Sequence, residues 1–158
     1  MTKIGRSTKV KIGLLIIAAL LLVPQMASAA SFTPPKTAAP TSGIYPSAVF
    51  PGYKYLKSSS IYVYDKKNQY VEVTVSAETK AIVDRIGISV QLEKWTGSTW
   101  VNFDSNSTQN TLNTSAASIL VTKSVQSGYY FRVKATYSVK KGTETEQAIE
   151  YGDSFVAE

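Results

Sequence analysis

Three stretches of the chain alternate regularly between apolar and polar residues, and this alternation constrains the fold more than any other feature. They span residues 69–77, 86–92 and 129–139. A period of two matches a β-strand, because successive side chains of a strand point to opposite faces of the sheet. The stretches are also rich in β-branched and aromatic residues, which favour strands. The alternation therefore predicts strands with one buried face and one exposed face.

Turn-forming residues between these stretches set the expected number of strands. Gly97, Gly128 and Gly142 lie between apolar segments, where glycine permits the positive φ angles of tight turns. No proline follows Pro51, which agrees with a sheet because proline interrupts its hydrogen bonds. We expect an all-β, immunoglobulin-like or fibronectin-type antiparallel sandwich of about seven strands. The expected strands are residues 60–64, 69–77, 86–95, 99–103, 118–125, 129–140 and 144–155.

The N-terminus has the three parts of a secretory signal peptide. Basic residues precede an uncharged apolar run at residues 12–23, and Ala27-Ser28-Ala29 supplies the small residues of a cleavage site. The run is shorter than the roughly 20 residues that a membrane-spanning helix needs. We predict cleavage after Ala29, with Ala30 a close alternative, and a secreted protein. An uncleaved N-terminal anchor is the alternative interpretation.

Proline content divides the chain that follows the predicted signal peptide of residues 1–29. Residues 30–51 contain five of the six prolines, which predicts a Pro-rich linker or irregular arm. Residues 52–158 are then the β-sandwich domain. Within that domain, residues 104–117 are rich in serine, asparagine and threonine, and we expect them to form a long polar crossover.

Removal of the signal peptide changes the charge of the protein. The whole chain has a formal net charge of +6, but four of its 17 basic residues lie in residues 1–29. The remaining 13 basic residues face 11 acidic ones, which leaves a net charge of +2. These charges are dispersed along the chain. We therefore expect neither nucleic-acid binding nor polybasic membrane binding.

Three segments resemble a type of small secreted protein from Gram-positive bacteria. The segments are VDRIGISV (residues 83–90), LEKWTGSTWVNF (residues 92–103) and GYYFRVKATYSVKKG (residues 128–142). Members of this type have a signal peptide followed by one β-sandwich, and they have no assigned function. The resemblance extends from about Val71 to the C-terminus. It implies a fold and an export route, but no functional residues.

Aromatic residues are the candidate binding residues, namely Tyr62, Tyr64, Tyr70, Trp95 and Trp100. The first two share one face of an expected strand, and Tyr70 is expected nearby on the next strand. The tryptophans flank a predicted turn. Exposed aromatic rings can stack on sugars or contact proteins. The alternatives are that the tyrosines stabilise the sheet and that at least one tryptophan lies in the core.

The chain contains no cysteine and no histidine, which excludes disulfides, thiol nucleophiles and imidazole-based catalysis. Carboxylates are the remaining catalytic candidates, but a glycosidase needs two of them in one cleft. The acidic residues are scattered, and we interpret them as solvated surface groups. We therefore expect no catalytic residues, no metal site and no cofactor, and weak calcium binding through Asp104 or Asp153 with backbone carbonyls is the alternative left open.

These inferences together predict a secreted, non-catalytic β-sandwich module. Its expected partner is a cell-wall polysaccharide, another extracellular or cell-envelope polymer, or an extracellular protein. The alternatives are a small secreted carboxylate-dependent hydrolase and a secreted inhibitor or toxin-like factor. The mature chain is expected to have no membrane span.

Overall fold

The structure is a computed structural model that describes residues 34–41 and 48–158. Regular structure in these residues is entirely β, in one curled antiparallel sheet of seven strands. The strands are β1 (Leu56–Asp65), β2 (Tyr70–Trp95), β3 (Trp100–Asn102), β4 (Ser107–Ser124), β5 (Tyr130–Lys141), β6 (Glu144–Tyr151) and β7 (Phe155–Val156). The all-β class and the antiparallel pairing predicted from the alternation are confirmed. The predicted signal peptide and its cleavage site at Ala29 lie outside the described residues.

The strand β2 is 26 residues long and organises the sheet. Its first half pairs with β1 on one edge and with β4 on the other. Its second half still pairs with β4, but β5 now takes the edge that β1 occupied. The register with β4 shifts between Glu78 and Val83, where the strand passes from one set of neighbours to the other. β3 pairs with the end of β2, while β6 and β7 pair with β5.

Two predictions about the path of the chain are wrong. The expected strands 69–77 and 86–95 are parts of one continuous strand, β2, and residues 107–117 of the expected crossover form the whole first half of β4 and the start of its second half. β4 pairs only with β2 among the described strands, so its first half has few buried side chains on either face. A strand that buries little has no need for apolar alternation, and its sequence therefore resembles a polar loop.

The apolar side chains predicted by the alternation form the core. Both halves of β2 and the inner face of β5 supply most of its fully buried side chains, including Val73, Ile88 and Phe131. The sheet curls so that the inner face of β1 meets β5 and β6. Gly152 lies at this contact, where an added Cβ would be 3.1 Å from Ile61 Cγ2.

A buried carboxylate joins three strands at this contact. Glu150 on β6 accepts hydrogen bonds from the hydroxyls of Ser59 on β1 and Tyr137 on β5, the latter at 2.7 Å. Burial raises the pKa of the Tyr137 hydroxyl, and its hydrogen bond to Glu150 raises it further. Because a buried charge without partners is costly, Glu150 requires both donors to remain in place.

Described parts of the predicted arm contact the sheet. The Lys36 amide donates to the Gly128 carbonyl at 2.7 Å, and the Trp95 indole donates to the Ala38 carbonyl at 3.1 Å. Val49 forms an antiparallel bridge with Ser58 of β1. Residues 34–38 therefore lie alongside the turn that precedes β5, and residues 48–50 cover part of the outer edge of β1.

Substitution of Gly128 tests the contact with the arm. Gly128 has φ of +82°, and an added Cβ would lie 3.2 Å from both the Pro34 carbonyl oxygen and Lys36 Cγ. We expect Gly128→Ala to lower the free energy of unfolding by more than the roughly 1–2 kcal/mol due to left-handed backbone strain alone. Urea unfolding of the purified protein measures the loss.

Gly142→Ala is the matched control. Gly142 has φ of +60°, but nothing lies within 4 Å of an added Cβ, so this substitution reports backbone strain without a new contact. Equal losses for the two variants would contradict the placement of residues 34–36 against Gly128.

Candidate binding surfaces

Three of the predicted binding residues lie on one exposed face of the sheet. Tyr62 and Tyr64 project from β1 and are each 67% exposed, while Tyr70 at the start of β2 is 48% exposed. Ile61 and Val63, which alternate with the two tyrosines of β1, are partly buried and pack against the core. The alternation of β1 therefore turns the tyrosines to solvent while its aliphatic residues pack inward.

The same face continues over three strands. Residues directly opposite each other in an antiparallel pair share a face. The register sets two rows across β1, β2 and β4, namely Tyr62–Thr74–Leu120 and Tyr64–Glu72–Thr122. Leu120 is 61% exposed. We call Tyr62, Tyr64, Tyr70 and Leu120 the tyrosine face.

The tyrosine face has the chemistry of a stacking surface. Successive residues on one side of a strand are about 7 Å apart, so Tyr62 and Tyr64 place two neighbouring rings on one line. Aromatic rings offer flat apolar area, and the hydroxyls of Thr74 and Thr122 add hydrogen-bonding groups between the strands. The carboxylate of Glu72 is paired with the Lys66 ammonium at 2.9 Å, so this acidic group is partly neutralised on the face.

The two tryptophans form a second, separate cluster. Trp95 at the end of β2 lies opposite Trp100 in β3, with ring centroids 5.3 Å apart. Both are half-buried, and neither belongs to the buried core or the hydrophobic residues packed against it. The alternative that one of them is the core tryptophan is therefore wrong. Trp95 instead helps to hold the arm through its hydrogen bond to Ala38.

Trp100 is partly covered by a cation from β5. The Arg132 guanidinium lies 4.6 Å from the Trp100 ring centre and 4.1 Å from that of Tyr151. The same guanidinium donates to the buried Glu93 carboxylate, with an Nη2–Oε2 distance of 2.7 Å. A cation–π contact of this kind stabilises the folded protein by about 1 kcal/mol. Trp100 is thus engaged within the protein, which makes the tryptophan pair a weaker binding candidate than the tyrosine face.

The candidate residues do not form a single site. Tyr62, Tyr64 and Tyr70 lie beside the first half of β2, whereas Trp95 and Trp100 lie at the end of its second half. The register shift between the two halves separates the groups along the strand. The structure therefore brings the three tyrosines together on one face and pairs the tryptophans elsewhere.

Two acidic side chains of β6, Glu144 and Glu146, line a shallow hollow together with Lys54 and Tyr55, which directly precede β1. The Glu146 carboxylate accepts the backbone amides of Tyr55 at 2.8 Å and Leu56 at 3.0 Å. The neighbouring Glu144 accepts hydrogen bonds from the Lys54 ammonium and the Tyr55 hydroxyl, and these hold the pKa of Glu144 below its ordinary value of 4.5. A general acid needs a raised pKa, so the lowered pKa of Glu144 does not suit it to donate a proton.

Other carboxylates differ from their predicted surface placement. Glu93 and Glu150 are each only 7% exposed, although both were expected to be solvated. Each is buried with a hydrogen-bonding partner on a neighbouring strand, Arg132 for Glu93 and Tyr137 for Glu150. Among residues 34–41 and 48–158, no three acidic side chains gather into a group that could hold a metal ion. The same residues form no helix that is long and apolar enough to cross a membrane.

Comparison with known proteins adds no family assignment. The chain matches no family model, no curated protein and no solved structure. Its resemblance to small secreted proteins of Gram-positive bacteria stays an expectation drawn from three segments. A function must therefore be argued from the chemistry of the described residues.

The pH dependence of stability tests whether Lys54 and Tyr55 stabilise the ionised form of Glu144. Because its pKa is lowered in the folded protein, ionised Glu144 stabilises the fold above pH 4.5, and this contribution is lost as the pH falls through the lowered pKa. We expect Glu144→Gln to be less stable than the wild type at neutral pH, with a difference that shrinks as the pH falls below 4.5 and through the lowered pKa. Urea unfolding at several pH values measures it.

Thr145→Val is the control, because this substitution changes no titrating group. Its effect on stability should not follow the titration of a carboxylate. A Glu144→Gln effect that stays the same size at every acidic pH at which the protein remains folded would mean that Lys54 and Tyr55 do not stabilise ionised Glu144.

Proposed function

We propose that this protein is a secreted, non-catalytic module that binds a cell-wall polysaccharide or a similar extracellular polymer through its tyrosine face. The observation that carries the proposal is the exposure of Tyr62 and Tyr64, 67% each, on one strand face. The proposal includes secretion after removal of residues 1–29 and an immunoglobulin-like arrangement of the curled sheet.

The grouping of exposed side chains supports a binding role. Scattered apolar residues on a surface need no explanation, but a contiguous patch rimmed by polar groups is typical of an interaction site. Tyr62, Tyr64, Tyr70 and Leu120 share one face of three adjacent strands. Serine and threonine surround them, as at Ser76 and Thr122. The tyrosine face therefore combines apolar area with neutral hydrogen-bonding groups.

A polysaccharide fits this chemistry well. The C–H groups on one side of a sugar ring pack against an aromatic face, while its hydroxyls need donors and acceptors at the edge. A sheet face is extended and open, so it can accept several units of a long polymer. An extracellular protein is the alternative partner, because tyrosine is also enriched at protein interfaces.

The hydrolase and inhibitor alternatives have less support from the described residues. Glu144 and Glu146 share a hollow, and both are hydrogen-bonded to the segment that leads into β1. A hydrolase would need an acid and a second carboxylate facing a bound substrate. No feature of the described residues favours a growth inhibitor or a toxin over a binding module.

Loss of the tyrosine rings should weaken retention on the polymer. We expect the double substitution Tyr62→Ala with Tyr64→Ala to lower affinity for isolated cell walls or purified polysaccharides by about ten- to a hundredfold, since each stacked ring contributes roughly 0.5–1.5 kcal/mol. Co-sedimentation of the purified protein with each insoluble matrix measures the affinity. Circular dichroism confirms that the variant is folded.

Ile149→Ala is the control, because Ile149 is 55% exposed on β6, away from the tyrosine face. It should leave retention unchanged. Equal retention of the double variant and the wild type would overturn the proposed site, and failure of the wild type to bind any matrix would overturn polymer binding. Release of soluble products during the same incubations would favour the hydrolase.

A further inference from the structure

One long edge of the sheet has no partner among the described residues. β4 contains 18 residues and pairs with β2 along one edge only. The hydrogen-bonding groups on the other edge of a strand in this position are directed away from the sheet. The outer edges of β1 and β6 have contacts with other segments of the chain. Backbone hydrogen bonds join Ala48 and Phe50 to β1, and the residues at the start of β1 contact Glu146 on β6.

The sequence of β4 lacks the usual protection of an open edge. Proteins commonly guard such edges with lysine, proline or a charged side chain, because an unprotected edge pairs readily with another strand. Residues 107–122 contain no charged residue and no proline. Lys123 is buried, and its ammonium is paired with Asp104 at 2.7 Å, so its charge is not presented at the edge.

The second half of β4 is the part suited to pairing. Asn113 has φ of +49°, and the register with β2 shifts nearby, so the strand is irregular in its middle. From Ala116 to Ser124 the pairing with β2 is regular. Here Ala117 and Val121 on the inner face are only partly buried against the core, and Leu120 on the outer face is 61% exposed. A neighbouring strand would cover all three.

We propose that β4 pairs antiparallel with β4 of a second copy of this chain, about a two-fold axis at Leu120. This register places Leu120 opposite Leu120 of the second copy and Ile119 opposite Val121 of the second copy. At the centre of the contact, apolar residues then face apolar residues on both faces of the sheet. A shift by one residue would instead place core-facing side chains opposite solvent-facing ones, which a half-buried strand disfavours.

A second copy fits this edge better than a charged partner. The edge from residue 107 to residue 122 is uncharged, so it offers no ion pair to select a different strand and no repulsion between two identical strands. A two-fold axis makes the contact self-complementary and closed, as in most homodimers. The row Tyr62–Thr74–Leu120 would then continue into the second copy, joining two tyrosine faces into one surface.

A single introduced cysteine tests the register, because the chain has no cysteine of its own. Directly opposite residues have Cα atoms about 4.5–5.5 Å apart, which suits a disulfide. We expect Leu120→Cys to form a linked dimer under mild oxidation at least about tenfold faster than Leu112→Cys. Leu112 is equally exposed, at 64%, but lies eight residues from the proposed axis on the same strand. Non-reducing gel electrophoresis measures both rates without any polymer present.

The association state of the uncrosslinked protein supplies a second measurement. Analytical ultracentrifugation of the processed protein should show a concentration-dependent dimer. Leu120→Lys should shift it to monomer, because two ammonium groups would then face each other across the axis, while Leu112→Lys should remain dimeric. Both positions are exposed, so the substitutions leave the core intact.

Three results would overturn the pairing. The first is equal crosslinking rates for the two cysteine variants, and the second is a wild type that is monomeric at every concentration tested. The third is a monomer whose β4 edge amides are protected from hydrogen exchange, which would mean that other residues of the same chain cover the edge. None of these measurements involves a polymer, so failure of the pairing and failure of the proposed function are distinguishable.

Discussion

The rest of the structure depends on the continuous pairing of β2 with strands on both of its edges. A strand of 26 residues is far longer than an ordinary strand of about 5–6 residues, so it cannot stay within one small flat layer. The register shift between Glu78 and Val83 lies where β2 stops pairing with β1 and begins to pair with β5. This division also decides the location of the candidate sites, with the tyrosine face beside the first half and Trp95 at the far end of the second.

Buried and half-buried carboxylates help to hold the curl in place. Glu146 accepts hydrogen bonds from backbone amides at the start of β1, and Glu150 accepts them from hydroxyls of β1 and β5. Asp104 forms an ion pair with Lys123. Each contact joins parts of the sheet that are distant along the chain. Charged groups in such positions are compatible with a stable fold only while every partner is present, because an unpaired buried charge is strongly destabilising. These acids therefore have a structural use that accounts for their positions without catalysis.

The sequence predicts the core well, because burial of one strand face is recorded locally as alternation. The apolar residues of 71–77, 86–92 and 131–139 are buried as the pattern indicated. The same reasoning misses β4, where Thr108, Asn110 and Thr114 belong to an edge strand that buries little. It also misses the partners of Glu93 and Glu150, since contacts between distant segments leave no local pattern. Tyr62 and Tyr64 were predicted to share a face, but only the fold shows that nothing else among the described residues covers it.

Leu120 connects the two open features of the surface. It lies in the same row as Tyr62, which makes it part of the tyrosine face, and it lies on β4, which makes it part of the open edge. Solvent-exposed aromatic rings and an unpaired uncharged edge both promote association, and the net charge of only +2 that residues 30–158 carry provides little repulsion against it. Both features are concentrated at Leu120. A strand pairing that buries Leu120 while leaving the tyrosine rings exposed would satisfy the edge and retain the stacking surface.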